Sequence, residues 1–486
     1  MGLRAVLALA LALVAGVPAV ARAQDGAPIV VVRSGCAEAR ASAGGFADAY
    51  AREVDLWARQ AGQGGRPHRL LSDADLVDER TMYDALVLPF PDIDDPALVS
   101  RLMAMVEQAR RVLLVGSSSR GGTGLVERLR VVCGAPVFTR LSEPRERHLV
   151  LAGRSFPAGE VTPATRFEVR AATPAFAASS PRGIGWYVRA DLAPLEPEAG
   201  ADEDVALAAF TCGGAEVVWS GVPFSGLAAP ADAAARVVAN LTAWLAGAPW
   251  LGRAPWRDDR TFAVVIEPDL RPPFDGVADL ASMLAGARLK GSFVVPPALG
   301  LPPELLAAVT SAGEVSPTTS ARVASAALAA GVRDDCTVLR DVGDHPGADV
   351  ASTLLADLDR QARRGALYPL RLQPGCLAAP AHRSAVALFL AGARQRPAWF
   401  ATHGELSAWE HVRRAVRVEP IPGGFRVQNA GDTPVEGFPL VAYRFGPLDL
   451  AAVAHRALVL PRDDGGFTLV LDLAPRESVD LAAEGR

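Results

Sequence analysis

The chain has 486 residues, half of them hydrophobic and 21% charged, with 49 basic and 54 acidic side chains for a formal net charge of −5. That length and apolar content suit roughly three folded domains and exclude a disordered chain. No long run of one sign occurs, so the clustered basic face of a nucleic-acid binder is missing and no nucleic-acid partner is expected.

Arg4 precedes an apolar core from Ala5 to Val17, followed by Pro18 and by Ala21-Arg22-Ala23. The pattern predicts a secretory signal peptide over 1–23, cleaved near Ala23, and an exported protein in the periplasm or the medium. The run is short for a membrane anchor, and no later stretch reaches about 18 uninterrupted apolar residues, so no span is expected in the mature chain. Cys36, Cys133, Cys212, Cys336 and Cys376 are scattered, without the C-x-x-C spacing of a zinc or redox site. An oxidising compartment permits a disulfide and an odd count leaves one cysteine over. A chain this long does not need such staples, and buried free thiols are the expectation.

Residues 24–250 read as one α/β domain. Strand Ile29 to Val32 is followed by a helix whose apolar face is Phe46, Tyr50, Val54 and Trp57, at helical spacing. "YDALVLPF", "DPALVSRLMAMVEQARR" and "VLLVG" repeat the alternation, and "AEVVWSG" with a helix through Val237, Leu241 and Trp244 closes it. Alternating strands and helices imply a doubly wound parallel sheet. Trp57, Trp219 and Trp244 lie on apolar faces and are expected in the core rather than as sugar platforms.

"AGAPWLGRAPWRDDR", residues 246–260, interrupts the pattern with glycine, proline and charge, which places a boundary there. From 251 to 411 the alternation resumes: strand 261–266, helix 276–288, "GSFVV", helix 302–312, Glu314-Val315, helix 320–330, strand 336–341, helix 349–364, "LYPLRL", helix 382–394 and "AWFA". This order suggests a trimmed (β/α) barrel. From 412 to 486, short alternating runs with Gly-Gly and Asp-Gly turns predict a small antiparallel β domain.

In "TFAVVIEPDLRPP", residues 261–273, a buried strand runs into Glu267-Pro268-Asp269. With "LKGSFVV", "AGEVSPTT", "LRLQPG" and "WFATHGELSAW" following in order, residues 259–411 resemble the polysaccharide deacetylase family. The resemblance implies a distorted (β/α) barrel and metal-dependent removal of acetyl groups from sugars. It places Glu267 at the general base, Pro268, Thr318 and Arg322 at the metal ligands, and Gln373 at the acid. Proline has no ligand atom, threonine is a poor ligand, arginine repels a cation and glutamine cannot exchange a proton near neutral pH. No metal or other cofactor is therefore expected, and the site reads as degenerate.

"RDVGDHPGAD" offers a second cluster at a predicted strand end. Asp341, Asp344 and His345, with Glu267 and Asp269, are the residues an active enzyme would use. The competing reading is a polar loop in which Asp349 or a neighbour caps the next helix.

The first domain resembles the class I glutamine-amidotransferase-like fold, whose catalytic members place a cysteine at a sharp turn after a central strand. Here that turn reads "VGSSSRGG", with Gly116, Ser117 and Ser118, and Arg120 breaks the Gly-x-Ser-x-Gly elbow. Only His68 and His148 precede residue 345, so a triad is not expected. The loop is instead a candidate for binding a carboxylate or phosphate through backbone N–H groups.

The sequence thus predicts an exported α/β protein: a doubly wound amidotransferase-like domain, a deacetylase-type barrel and a small β domain. The expected role is non-catalytic, binding a glycan or serving proteins that process one. The alternatives are an active carbohydrate deacetylase or hydrolase with a non-standard site, and a periplasmic binding or scaffold protein working through its first domain.

Overall fold

The structure, a computed structural model, describes residues 28–483 except 64–65, 79–82, 117–123, 137, 141–147, 154, 162–164, 171–172, 179, 181, 189–204, 271, 296–299, 317–332, 335–346, 366, 444–447, 451–452, 454 and 463–465. The signal-peptide segment, the loop from Asp341 to His345, and Thr318, Arg322, Ser117 and Ser118 lie outside the described residues.

The first unit is built on strands β1 (Ile29–Arg33), β2 (His68–Ser72), β3 (Ala85–Pro89), β4 (Arg111–Val115), β5 (His148–Leu151), β6 (Phe167–Glu168), β7 (Gly183–Val188), β8 (Val205–Cys212) and β9 (Ala215–Ser220). Among the described residues they form one sheet in the order β2-β1-β3-β4-β9-β8-β7-β5-β6. Alternate residues of the central strands enter two separate cores: Val30, Leu86 and Leu114 on one face, Val31, Val87 and Val115 on the other. Both faces are buried because helices cover both, and the strands therefore read as continuous apolar runs. The principal helices are α1 (Gly35–Ala43), α2 (Ala47–Gly62), α3 (Pro96–Gln108), α4 (Leu125–Cys133) and α5 (Ala231–Leu245). Trp57, Trp219 and Trp244 are fully buried, as expected.

The expectation of a wholly parallel sheet needs correction. β4 and β9 are parallel, but β9 and β8 form an antiparallel hairpin, and β7, β5 and β6 continue antiparallel. The hairpin turns at Gly213-Gly214, with Gly213 at φ +60, so the chain reverses in place of crossing over a helix. The cysteines are also corrected. Cys133, at the end of α4, and Cys212, at the end of β8, lie 4.7 Å apart at Cα and form a disulfide; Cys376 is disulfide-bonded too, and Cys36 is free.

The expected boundary falls inside a structural element. Strand β10 (Trp250–Arg253) pairs antiparallel with a strand of the last unit, although it precedes the middle one. The middle unit contains β11 (Phe262–Pro268), β12 (Gly291–Val294), β13 (Gly313–Ser316), β14 (Arg333–Asp334), β15 (Leu367–Leu372) and β16 (Ala398–Phe400). Its helices are α6 (Val277–Gly286), α7 (Pro303–Ala312), α8 (Gly347–Arg364), α9 (Pro380–Arg394) and α10 (His403–Ala415). All described pairings are parallel, in the order β13-β12-β11-β15-β14, with β16 alongside the first half of β11. Among the described residues this path is open at both ends, so closure into a barrel is not seen there.

The last unit packs two four-stranded antiparallel sheets. One runs β10, β19 (Val435–Tyr443), β22 (Phe467–Leu473), β21 (Ala457–Pro461). The other runs β17 (Val416–Ile421), β18 (Gly424–Asn429), β23 (Ser478–Ala483), β20 (Leu448–Asp449). No described helix is long and apolar enough to cross a membrane.

Candidate functional site

Strand β11 sorts its side chains by parity. Phe262, Val264 and Ile266 face the helical layer with Leu280, Leu354 and Phe389. Ala263 and Val265 face the other way and pack with Trp256, Leu367 and Leu406. Glu267 continues the second set, so its carboxylate points into the inner face at the C-terminal end of the parallel strands, where α/β folds place their sites.

The carboxylate is 1% exposed. His403, 2% exposed, sets Nε2 3.1 Å from Oε1, while Arg371, opposite in register on β15, sets a guanidinium nitrogen 3.9 Å from Oε2. Arg371 keeps 30% of its side chain exposed, so it reaches down from the rim. His403 is aimed by the start of α10. Thr402 and Glu405 form a capping box, with Glu405 N donating to Thr402 Oγ1 and Thr402 N to Glu405 Oε2. The His403 N–H donates to buried Ser292 Oγ at 2.9 Å, and the Gly404 N–H to Glu314 Oε2 at 2.8 Å. The positive end of this helix is thereby occupied by protein acceptors. Burial raises the Glu405 carboxyl, but hydrogen bonds from Lys290 and the Thr402 N–H outweigh it and hold the group below the ordinary range.

Of the remaining described candidates, Pro268, Asp269 and Gln373 stay at the adjoining ends of β11 and β15. Pro268 is buried within β11, paired with Leu372. Asp269 is half-buried beyond the strand end, its N–H bonded to the Leu372 carbonyl. Gln373 stands at the start of the turn Pro374–Ala378, where its carbonyl accepts from Cys376 N. Asp349 falls inside α8. Sequence reasoning missed His403, although the Thr-x-x-Glu box at 402–405 was legible and fixes a histidine at the first helical position.

The metal implied by the family resemblance does not fit the described residues. Beside Glu267 stand an amide ring without a donor, Pro268, and the permanent positive charge of Arg371. Among the described residues no three His, Cys, Asp or Glu side chains converge as a ligand set. What the arrangement provides is a buried carboxylate and imidazole in contact at 3.1 Å, with neither ring nitrogen of His403 in hydrogen-bond geometry with a described residue.

In the first unit, Gly116 ends β4 at φ +76 and donates its N–H to the Ser220 carbonyl at 2.7 Å. Buried Phe90, itself at φ +47, lays its ring over Gly116 and edge-on to Tyr50 at 5.8 Å between ring centroids. The Phe90 ring thus covers Gly116 at the C-terminal end of β4.

No family model matches the sequence, and no curated protein matches it. Solved structures similar to parts of the chain include a β-galactosidase from the Antarctic haloarchaeon Halorubrum lacusprofundi, 17% identical, covering 46% of this chain and 32% of that one, with a TM-score of 0.31. A β-galactosidase from Bacillus circulans is 12% identical over 45% of this chain and 30% of its own, with a TM-score of 0.29. A putative ThuA-like protein from Bacteroides uniformis is 11% identical over 47% of this chain and 95% of its own, with a TM-score of 0.33. The chain thus spans about a third of the galactosidases' length, and superpositions this loose carry no argument about function.

Proposed function

We propose that this is an exported, non-catalytic protein built like a polysaccharide deacetylase, which binds a glycan or serves proteins that process one. The observation that supports the reading is the state of Glu267. The carboxylate matching the family's general base is sealed from solvent, faced by His403 at 3.1 Å and approached by Arg371, and its neighbour is Pro268. A metal-dependent hydrolase needs a cation to lower the pKa of its attacking water from 15.7 to about 7 and to polarise the acyl carbonyl. Here Arg371 occupies the approach with a charge that repels such a cation. We place the first unit in the amidotransferase-like class and the middle one in the deacetylase class on the resemblance of their motifs.

The test is elemental analysis of chain purified without chelator or affinity metal, followed by acetate release from acetylated chitooligosaccharides and xylan with added zinc, cobalt or nickel. The expected result is no stoichiometric metal and no acetate, with retention of the chain on one of the polysaccharides. Turnover abolished by Glu267→Gln would establish the competing reading, in which the Glu267–His403 pair supplies acid–base chemistry.

A further inference from the structure

Helix α10 covers the inner face of the middle sheet with a small apolar hold. Of its thirteen residues only His403 and Leu406 are buried. Leu406 packs with Ala263, Val265 and Leu367, the floor beside Glu267. Beyond an edge-on contact of Trp409 with Trp399 of β16, 6.3 Å between ring centroids, the rest of its attachment to the sheet is polar and gathered at its first turn: His403 against Glu267, Lys290 to Glu405, and the N–H groups of His403 and Gly404 to Ser292 and Glu314. The other half belongs elsewhere. Trp409 stacks on Phe438 of the last unit, 5.4 Å between centroids, and donates Nε1 to the Pro255 carbonyl at 3.0 Å. Arg413 Nε donates to the Ala254 carbonyl at 3.2 Å, and Arg253 Nη1 donates to the Arg413 and Val416 carbonyls at 2.9 and 3.2 Å.

We propose that α10 is a releasable strap: its first half lifts from the middle sheet by local opening, with His403 as the latch on Glu267, and lifting uncovers the inner face to ligand. Each polar contact at the latch is exchanged for one with water on opening, so its net hold is modest. The buried carboxyl and imidazole groups recover their hydration, which offsets much of the attraction lost. The apolar hold is Leu406 and the edge of one indole, Trp409 on Trp399, whereas parting β11 from β15 exposes whole layers of core. Opening of the strap therefore lies well below global unfolding in free energy, as ligand-gating segments do. The proposal deepens the glycan-binding reading by naming what gates the inner face, and its test needs no glycan.

The experiment is hydrogen–deuterium exchange of the full chain, read by peptide mass across low denaturant concentrations. The expected result is that amides from Leu406 to His411 exchange at least about tenfold faster than those of β11 and β15, with a weak denaturant dependence marking a small exposed surface. Glu267→Gln and His403→Ala should each speed exchange in α10 by about tenfold more, or 1.4 kcal/mol, leaving α6 and α9 unchanged. Exchange of α10 in step with β11, with the full denaturant dependence, overturns the proposal, as does equal acceleration of every peptide by both variants. Should either variant fail to fold, the wild-type comparison decides alone. A chain that binds no glycan would sink the functional reading and leave this result standing.

Discussion

Arg253 and Glu160 join the first unit to the last: Arg253 Nε donates to Glu160 Oε2 at 2.8 Å, and the Arg253 backbone N–H also bonds the same carboxylate. Arg253 lies on β10, the strand contributed ahead of the middle unit to the sheet behind it. Nearby, Asn240 of α5 donates to the Pro157 and Gly159 carbonyls and accepts from Trp250 Nε1 at 3.1 Å. Fully satisfied polar contacts of this kind fix one geometry.

A cut at Pro255 should therefore not yield two sound pieces. A fragment 260–486 lacks β10 and leaves an edge of β19 unpaired, whereas a fragment starting at Gly247 keeps it. The shorter piece should aggregate or unfold without cooperativity, and the longer one should melt cooperatively. In the intact chain, Glu160→Ala should cost about 1–3 kcal/mol, because it strands a half-buried guanidinium. Urea unfolding measures it.

Glu53 is fully buried and accepts from Trp57 Nε1 at 2.7 Å and from the N–H groups of Phe224 and Ser225. Burial raises its carboxyl above the ordinary range despite these donors. A raised folded pKa favours the protonated form, so the group's contribution is fully present below the unfolded value of about 4.3 and declines as pH rises through the folded value. Glu53→Gln should remove that slope, and should destabilise by about 1–3 kcal/mol because the amide group faces a donor. Unfolding free energies of both proteins across the acid range check the sign: a wild-type-minus-variant difference rising with pH would refute it.

The Cys133–Cys212 bond closes a sequence separation of 79 residues. Replacing both by serine should lower stability by about 2–4 kcal/mol, and peptide mapping without reductant should recover the linked pair. Cys36, the free thiol, should be alkylated first.

Gly116→Ala should cost about 1–3 kcal/mol, from the left-handed backbone and from a Cβ placed 3.1 Å from the Phe90 ring and 3.3 Å from Pro223. In a Phe90→Ala background the further cost of Gly116→Ala should shrink by the part due to the ring, leaving the backbone part. Thermal unfolding of the wild type, the two single variants and the double separates the two terms.

Several of these relationships were legible in the chain alone. The strands Ile29–Arg33, Ala85–Pro89 and Phe262–Pro268 announce themselves because both their faces are buried, which makes them apolar without interruption. Tyr50, Val54 and Trp57 fix the face of α2 by helical spacing. The buried side chain of Glu267 follows from its place at the end of such a strand.

Local pattern could not supply what depends on distant partners. β10 looks like a linker in sequence, since Trp250-Leu251-Gly252-Arg253 is short and flanked by glycine and proline, and only β19, nearly 200 residues later, makes it a strand. The Cys133–Cys212 bond depends on α4 and β8 ending side by side. The capping box at 402–405 suffices to put His403 at a helix start, though it went unread, but the meeting with Glu267 required β16 to run beside β11, so that the chain emerging from one strand delivers the imidazole to the carboxylate of the other. Hydrophobic periodicity records which face of an element is buried; it carries no record of which element lies across from it, and that choice belongs to the packing of the whole chain.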